Sequence, residues 1–390
     1  MINWAKLPLE ILLIITKLLF SSEEFKALVA FGGVCSSWRS AWILLKKHLK
    51  KSSLKVVLLM LAEEELSSKR GFYSLSKCNI HYMNFPEAKG KQLFSFPEGW
   101  ILTAGLDLEL TLLHPFSHSQ YKLPSWHFDS NVLFQAYFPN VNVITYCPNL
   151  ITRAAITANP SRKPDFKIVI TFDNGFESIV AFASPGDKAW TVLRKGTLMA
   201  DVVCYKGKVH GIDWDGTFWL CDVEGSKPTL TKLFPKPEAY GYVKAVYLVE
   251  SLGKLLAVYR KWVNEENGLT YKTIGFQVSE LDWTNGSWTR VNSLGNRALL
   301  VGRNASFSVD ASEVPGCEAD SIYFTDDCRD AYWISIESNE FREKINSAID
   351  HNGGNDIGVY SLKDRKIKTQ FPCQLFSSIS PPLWVVTAFP

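Results

Sequence analysis

The sequence predicts a multidomain protein in which a unit of three short helices precedes an all-β domain, a β-propeller of six or seven blades. Three observations predict this fold class. Residues 1–50 carry apolar side chains at helical spacing. Strand-length runs separated by turn residues fill the chain after about residue 55. The length of 390 residues also exceeds that of one average domain.

The first fifty residues divide into three helices. The first is predicted to begin at Pro8, because a missing N–H costs nothing at the first helical position. Leu12 and Ile15 lie at helical spacing along it. The second helix is predicted to end at Gly32-Gly33, and the third to begin near Cys35. So small a unit buries little apolar area by itself, so we expect it to dock on the rest of the chain or on a partner.

Two motifs bracket this helical unit. It starts with Leu7-Pro8-x-Glu10-Ile11-Leu12-x-x-Ile15 and ends with Val34-Cys35-x-x-Trp38-Arg39. Over about residues 4–45 the pattern resembles an F-box, a module that binds Skp1 and joins a cullin-based ubiquitin ligase. The resemblance implies a Skp1-like adaptor, and through it cullin, as partners. It places eight residues in or just beneath the adaptor interface: Leu7, Pro8, Ile11, Leu12, Ile15, Val34, Cys35 and Trp38.

Three features depart from that family pattern. Leu9 and Ile14 stand where the family more often has polar residues, and Gly32-Gly33 is an unusual lead into the third helix. The alternative interpretation is a small helical unit that only packs on the main domain.

The remainder is divided into a linker, residues 51–70, and the propeller, residues 71–390. Its clearest unit, residues 204–225, has the pattern of a three-strand meander with turns at Lys206-Gly207 and Asp215-Gly216. Meanders repeated every ~40–50 residues are typical of propellers, and a pair of β-sandwiches is the competing architecture. The predicted strands are Lys167–Thr171, Ser178–Phe182, Ala189–Leu193, Val202–Tyr205, Thr217–Asp222, Ala245–Val249, Leu255–Arg260, Ile274–Val278, Trp288–Val291, Ser321–Phe324 and Asp356–Leu362.

An ordered set of motifs runs through the β region from about residue 70 to residue 386. It includes Gly99-Trp100, Leu113-His-Pro115-Phe116, Asp187-Lys-Ala-Trp190, Tyr247–Arg260, Ile322–Asp327 and Pro381-Pro-Leu-Trp384. The set resembles plant F-box proteins with a DUF295 region, also described as a KIB1-type β-propeller and including SKIP23-like proteins. This resemblance implies a kelch-like propeller that serves as the substrate-recognition half of an SCF (Skp1-cullin-F-box) ubiquitin ligase. A receptor of this kind recruits a protein substrate and is not itself an enzyme.

Composition excludes several other classes. Lys and Arg number 42 against 39 Asp and Glu, a balance that argues against a dedicated nucleic-acid or polybasic membrane binder. The most apolar run, residues 9–20, is shorter than the ~20 residues that a membrane-spanning helix needs. The eight cysteines are scattered and lack a C-x-x-C motif, so neither zinc nor a disulfide framework is indicated. We therefore expect a protein of the cytoplasm or nucleus, without metal or cofactor.

Residues that suggest other chemistry are few. Pro115 separates His114 from His118, which disfavours the helical geometry of a metal site and predicts ordinary loop histidines. Asp213-Trp-Asp-Gly predicts a hairpin turn, and Asp326-Asp327 a solvated turn. P-loop, G-x-S-x-G and G-x-G-x-x-G motifs are absent from the sequence.

Most tryptophans are expected in the blade cores, with Trp126 and Trp262 as candidate anchors for a substrate. Two alternatives stay open beside the ligase receptor. One is a scaffold or regulator that uses its F-box without ubiquitin transfer. The other is a glycan-processing propeller enzyme, which would need Arg and carboxylate side chains clustered on one face.

Overall fold

The structure is a computed structural model, and it describes residues 4–21, 25–52, 55–63, 67–105, 109–115, 119–125, 151–173, 178–235, 245–264, 271–303, 305–326, 356–368, 371 and 380–388. Within these ranges, three α-helices precede 25 β-strands that form six sheets. The predicted order of helical unit and all-β propeller is confirmed. Each sheet is one blade, so the described propeller has six blades.

The helices are α1 (Leu9–Ser21), α2 (Phe25–Val34) and α3 (Ser36–Ser52). The Pro8 carbonyl accepts hydrogen bonds from the N–H groups of residues 11 and 12, so Pro8 caps α1 instead of forming its first residue. The predicted end of α2 at Gly32-Gly33 is wrong, because the helix continues to residue 34. Neither glycine adopts the left-handed conformation that ends a helix.

Each blade is an antiparallel sheet, apart from one parallel pair in blade six. From the axis outwards, blades one to three are β25 (Leu383–Ala388), β1 (Lys55–Met60), β2 (Lys69–Ser74), β3 (Asn79–Asn84); β4 (Gln92–Ser95), β5 (Ile101–Ala104), β6 (Leu110–His114), β7 (Ser119–Lys122); and β8 (Ile151–Ile156), β9 (Ile168–Asp173), β10 (Ser178–Ala183), β11 (Thr191–Lys195). Blades four to six are β12 (Met199–Tyr205), β13 (Lys208–Asp213), β14 (Phe218–Asp222), β15 (Thr229–Phe234); β16 (Ala245–Ser251), β17 (Lys254–Asn264), β18 (Tyr271–Leu281), β19 (Trp288–Val291); and β21 (Phe307–Asp310), β20 (Arg297–Val301), β22 (Ser321–Phe324), β23 (Gly358–Ser361), β24 (Lys366–Lys368).

Every strand predicted from the sequence overlaps an observed strand, and the meander of residues 204–225 is confirmed as β12, β13 and β14. One structural finding corrects the domain boundaries. Residues 55–60 fall in the predicted linker, yet they form β1 and pair on both sides within blade one. The physical reason is that residues 57–60 are all buried, which a solvated linker would not allow.

Blade one closes the ring with strands from both parts of the chain. The terminal strand β25 pairs with β1 along its whole length, from Lys55 opposite Ala388 to Met60 opposite Leu383. Trp384 is fully buried in this strand and lies edge-on to Tyr323 of blade six, at 5.7 Å between ring centroids. Blade one is therefore completed by β25, and blade six packs on it.

Polar side chains on the innermost strands join blades one to six in succession. Arg153 of β8 lies 3.3 Å from the carboxylate of Asp201 in β12, and that carboxylate accepts the N–H of Leu248 in β16 at 2.7 Å. These contacts satisfy polar groups buried near the axis, which would otherwise lower the stability of the ring. Further links of this kind join Gln92 to the Ile151 carbonyl, Ser251 to Ser308 and Ser95 to the Trp384 carbonyl.

The ring closure generates a test. Replacing Trp384 with Ala leaves a cavity beside Tyr323, and we expect a loss of about 3–5 kcal/mol in the free energy of unfolding. Urea titration followed by far-UV circular dichroism measures the change. Trp214→Ala is the matched control, because Trp214 is 38% exposed and its loss should cost less than about 0.5 kcal/mol. Equal midpoints for the two variants would contradict the importance of the closing strand.

Candidate functional site

The helical unit has one small core. It is formed by Leu12 of α1, Phe31 of α2, and Ala41 and Trp42 of α3, each at most 7% exposed. Since the core is so small, much of the apolar surface of the three helices stays outside it. That outer surface is the first candidate functional site.

The eight predicted adaptor-binding residues differ in solvent exposure. Leu12 lies in the core of the unit and supports the surface from beneath. Pro8, Ile11 and Val34 are exposed and available for direct contact. The half-buried members of the set are Leu7, Ile15, Cys35 and Trp38.

The exposed apolar side chains of α1 form a stripe. Ile11, Ile14 and Leu18 are 43%, 52% and 64% exposed, and they are spaced three and four residues apart, which places them on one side of the helix. We call these three residues the α1 stripe. Leu18 was not predicted as a site residue, although the spacing itself was visible in the sequence. The apolar Ile14, unusual for the family pattern, extends the stripe.

Trp38 has a supporting role in this unit. Its ring lies 4.4 Å from that of Phe31, and its indole N–H donates a 3.1 Å hydrogen bond to the Trp4 carbonyl. These contacts tie the segment before α1 to α3 and α2. Replacing Trp38 would therefore disturb the unit itself as well as any interface above it.

Gly32 explains how closely α2 and α3 approach. A Cβ atom at Gly32 would lie 2.7 Å from Cδ1 of Trp42, whereas a Cβ at Gly33 would meet nothing within 4 Å. A contact of 2.7 Å is too short for two carbon atoms. The first of the two glycines is thus required for packing, and the second is not.

The predicted substrate anchors of the propeller have different outcomes. Trp126 lies outside the described residues. Trp262 is half-buried in β17, and its ring packs against Tyr271 of β18 at 4.6 Å. Its role as an anchor stays a prediction, and the ring already has a partner inside the protein.

A buried ion pair lies beside Trp262, between blades five and six. Arg260 is 0% exposed, and its guanidinium donates to the Asp356 carboxylate and to the Thr273 hydroxyl, both at 2.7 Å. The guanidinium carbon also lies 4.9 Å from the centroid of the Phe324 ring. Because a charge out of water is stable only when it is paired, these bonds hold the two blades in one arrangement.

Asp326 and Asp356 both reach across to β18. The Tyr271 hydroxyl donates to Asp326, and Asp356 accepts the Thr273 hydroxyl at 2.6 Å and the Thr273 N–H at 3.1 Å. The prediction of a solvated turn at Asp326 is wrong, since this residue is only 9% exposed. The hydrogen bond from the half-buried Tyr271 phenol explains the difference.

The remaining motifs are structural where the structure describes them. His114 ends strand β6, buried, with Nε2 3.0 Å from the Glu98 carbonyl, so the prediction of a loop position is wrong for it. His118 and His127 lie outside the described residues. The hairpin turn at Asp213 is confirmed: its carboxylate accepts the Thr217 N–H and the Trp219 indole N–H, both at 2.8 Å.

No group of three or more His, Cys, Asp and Glu side chains in the described ranges is arranged as for a metal ion. Among the helices that the structure describes, none has both the length and the apolarity to cross a bilayer. Cys35, Cys78, Cys204, Cys221 and Cys317 are free thiols. Burial raises the pKa of Cys221 to about 12 and that of Cys317 to about 11, which makes these two thiols poor nucleophiles.

An aromatic cluster joins blades four and five. Trp283 stacks on Tyr205 at 5.3 Å, and His210 lies 5.6 Å from the Phe218 ring in the same cluster. The expectation that most tryptophans are blade core holds for the buried Trp100, Trp219 and Trp384, whereas Trp214 and Trp283 are each 38% exposed.

A family model described as "KIB1-4 beta-propeller" matches residues 72–361, which include strands of all six blades. The chain belongs to the KIB1-4 beta-propeller family. The sequence resemblance to plant F-box proteins with a KIB1-type propeller is thereby confirmed.

Known relatives of this KIB1-4 chain come from Arabidopsis thaliana. F-box protein At4g35733 is 27% identical over 347 residues, 83% of this chain and 89% of that protein. F-box protein SKIP23 is 25% identical over 428 residues, 99% of this chain and 96% of that protein. Among solved structures, TolB from Acinetobacter baumannii shares 8% identity at a TM-score of 0.42, with 90% of this chain and 73% of TolB covered. The SKIP23 alignment, at 99% of this chain, includes the helical region as well as the propeller.

The packing of Gly32 predicts opposite effects for two neighbouring substitutions. Gly32→Ala should destabilise the helical unit, because its methyl group would push the Trp42 ring aside, at a cost of about 1–3 kcal/mol. Gly33→Ala should stabilise the unit by up to about 1 kcal/mol, because alanine favours a helix at an open position. Amide hydrogen exchange of α2 and α3 measures both effects. Equal exchange rates in the two variants would contradict the close approach.

The environment of His210 predicts a pH dependence of stability. Burial among aromatic rings lowers the pKa of His210 to about 4, from 6.5 in an unfolded chain. Between pH 6.5 and 4 the unfolded state therefore binds a proton that the folded state does not bind. The contribution of His210 to the free energy of unfolding is at its full value above pH 6.5 and falls as the pH drops towards 4.

We expect His210→Gln to remove part of this slope, at most about 1.4 kcal/mol per pH unit. Urea unfolding of both proteins over roughly pH 4 to 7 gives the two slopes. A variant slope equal to that of the native chain would show that His210 does not titrate as a buried group.

Proposed function

We propose that this chain is the substrate-recognition subunit of an SCF-type ubiquitin ligase. In this proposal the helical unit binds a Skp1-like adaptor, and through it cullin, while the propeller binds a protein substrate. The observation that carries the proposal is the α1 stripe. It is an exposed apolar surface on a unit with both F-box motif ends, in a chain whose relatives are named F-box proteins.

The α1 stripe supports adaptor binding on physical grounds. An aliphatic side chain gains about 1.5–3 kcal/mol when it passes from water into a fully buried interface. Ile11, Ile14 and Leu18 each expose 43% or more of their surface, and Val34 at the end of α2 exposes 56%. Exposed apolar surface of this kind marks an interaction site.

We also propose that the propeller is kelch-like.

The propeller acts in this scheme without a catalytic step of its own. A bound substrate gains a high effective concentration at the ubiquitin carrier that the cullin holds, so the contribution of this chain is proximity. The rigid, closed ring suits that task because it holds a bound protein in one orientation. In this proposal the complex acts in the cytoplasm or nucleus, where free thiols such as those of Cys78 and Cys204 persist.

The test measures binding of the full chain to a purified Skp1 protein. Ile14→Asp combined with Leu18→Asp should weaken this binding at least about 100-fold, because two carboxylates would have to be buried in an apolar interface. The matched control is Leu252→Asp with Val192→Asp, two exposed propeller positions that undergo the same kind of change. The control should bind as the native chain does.

Two results would count against the proposal. If the native chain fails to bind Skp1, or the α1 variant binds unchanged, the helical unit is not an adaptor-binding module. If Skp1 binds but no cullin joins the complex, the chain is a scaffold without ubiquitin transfer.

A further inference from the structure

The hairpin of β17 and β18 is longer than the blade that carries it. Each of the two strands has 11 residues, whereas the flanking strands β16 and β19 have 7 and 4. Pairing with β16 stops at Arg260, and pairing with β19 starts at Val278. Residues 261–264 and 271–275 therefore pair with each other alone, as far as the described chain shows. We call this two-stranded segment the ribbon.

The ribbon has two distinct faces. Trp262 is opposite Thr273 and Val263 is opposite Lys272, with a bulge at Ile274. Because side chains alternate along a strand and a bulged residue joins the side of its opposite partner, the two sets separate cleanly. One set is Trp262, Tyr271 and Thr273, and the other, which we call the outer face, is Lys261, Val263, Lys272 and Ile274.

The first set fixes the ribbon on the propeller. Tyr271 packs on Trp262 and donates to Asp326, while Thr273 is bonded to Asp356 and Arg260. A two-stranded hairpin is marginally stable in water by itself, so these contacts are what hold it in place. The outer face is consequently presented in a fixed geometry.

The outer face is exposed and positively charged. Val263 and Ile274 are 47% and 55% exposed, and both lysines are exposed as well. Some other lysines of the propeller do pair with acids, such as Lys254 with Glu280 at 2.8 Å and Lys368 with Glu318 at 2.8 Å. In the part of the chain that the structure describes, no carboxylate pairs with Lys261 or Lys272. Two aliphatic side chains thus lie between two lysines that pair with no carboxylate of the described ranges.

Strand direction places the ribbon at the end of the ring away from the helical attachment. β1 and β17 are both the second strand of their blade, so they run in the same direction. The chain enters β1 from α3 at the end of the ring where β17 starts, and the ribbon lies where β17 ends. In the described chain, the helical unit is therefore attached at the end of the ring opposite the ribbon.

We propose that the outer face of the ribbon is the substrate-docking surface, and that it takes an extended segment with carboxylates next to aliphatic side chains. This inference rests on the proposed receptor function. Val263 and Ile274 supply the apolar contact, and Lys261 and Lys272 select acidic partners and repel basic ones. The fixed ribbon lowers the entropy cost of binding, because it does not have to become ordered.

The experiment selects binders from a library of random dodecapeptides on the purified full chain. We expect the selected peptides to be enriched in Asp and Glu adjacent to Val, Ile or Leu. Lys261→Glu with Lys272→Glu should weaken their binding at least tenfold, and so should Val263→Ser with Ile274→Ser. Lys227→Glu with Lys232→Glu is the matched control, since both lysines are exposed on blade four, and it should bind the peptides unchanged.

The docking proposal is wrong if the selected peptides lack acidic residues or bind the Lys261→Glu, Lys272→Glu variant as they bind the native chain. Failure of the receptor function is measured separately, by Skp1 binding of the same preparations. The ribbon variants should keep Skp1, and the Ile14→Asp, Leu18→Asp variant should lose Skp1 but keep the peptides. The two proposals can therefore fail independently.

Discussion

The pairing of β25 with β1 is the constraint on which the rest of the structure depends. Six residue pairs join the first and last strands of the propeller in one blade, so β1 has a partner strand on both sides. Both faces of this blade bury apolar residues against its neighbours, so the closing strand also completes two cores. Because β1 directly follows α3, the helical unit is attached to the strand that closes the ring.

The sequence predicts the helical unit and the middle blades well, for a physical reason. From residue 167 onwards, strand-length apolar runs alternate with glycine turns such as Lys206-Gly207, where the backbone takes positive φ at both residues. The earlier strand β1 lacks such a signal, since its run of buried aliphatic residues follows a basic helix end and reads as a linker. The glycine pair in α2 predicts a helix end that the structure does not have there. Gly32 instead allows the close contact with Trp42.

The candidate sites, too, could be predicted only in part from the sequence. The two motifs at the ends of the helical unit predict a binding surface there. Only the fold distinguishes the exposed Ile11 from its neighbour Leu12, which is buried. On the propeller, Trp262 is a predicted substrate anchor because it is a large aromatic residue. In the structure its ring packs against Tyr271 inside the ribbon. The bulge at Ile274 decides which residues face outwards, and a bulge depends on cross-strand register, which a single strand sequence does not encode.

The buried Arg260–Asp356 pair connects these observations. Burying two charges costs several kcal/mol of desolvation for each ion, and the mutual attraction offsets this only with good geometry and further hydrogen bonds. Arg260 donates hydrogen bonds to Thr273 of β18, to the Thr325 carbonyl and to Asp356. The desolvation cost of the pair is therefore lowest in the one arrangement that forms all three hydrogen bonds. An apolar residue of similar volume would pack as stably in several arrangements. What the ion pair contributes is therefore position: it fixes Thr273, and with it the ribbon, relative to the ring.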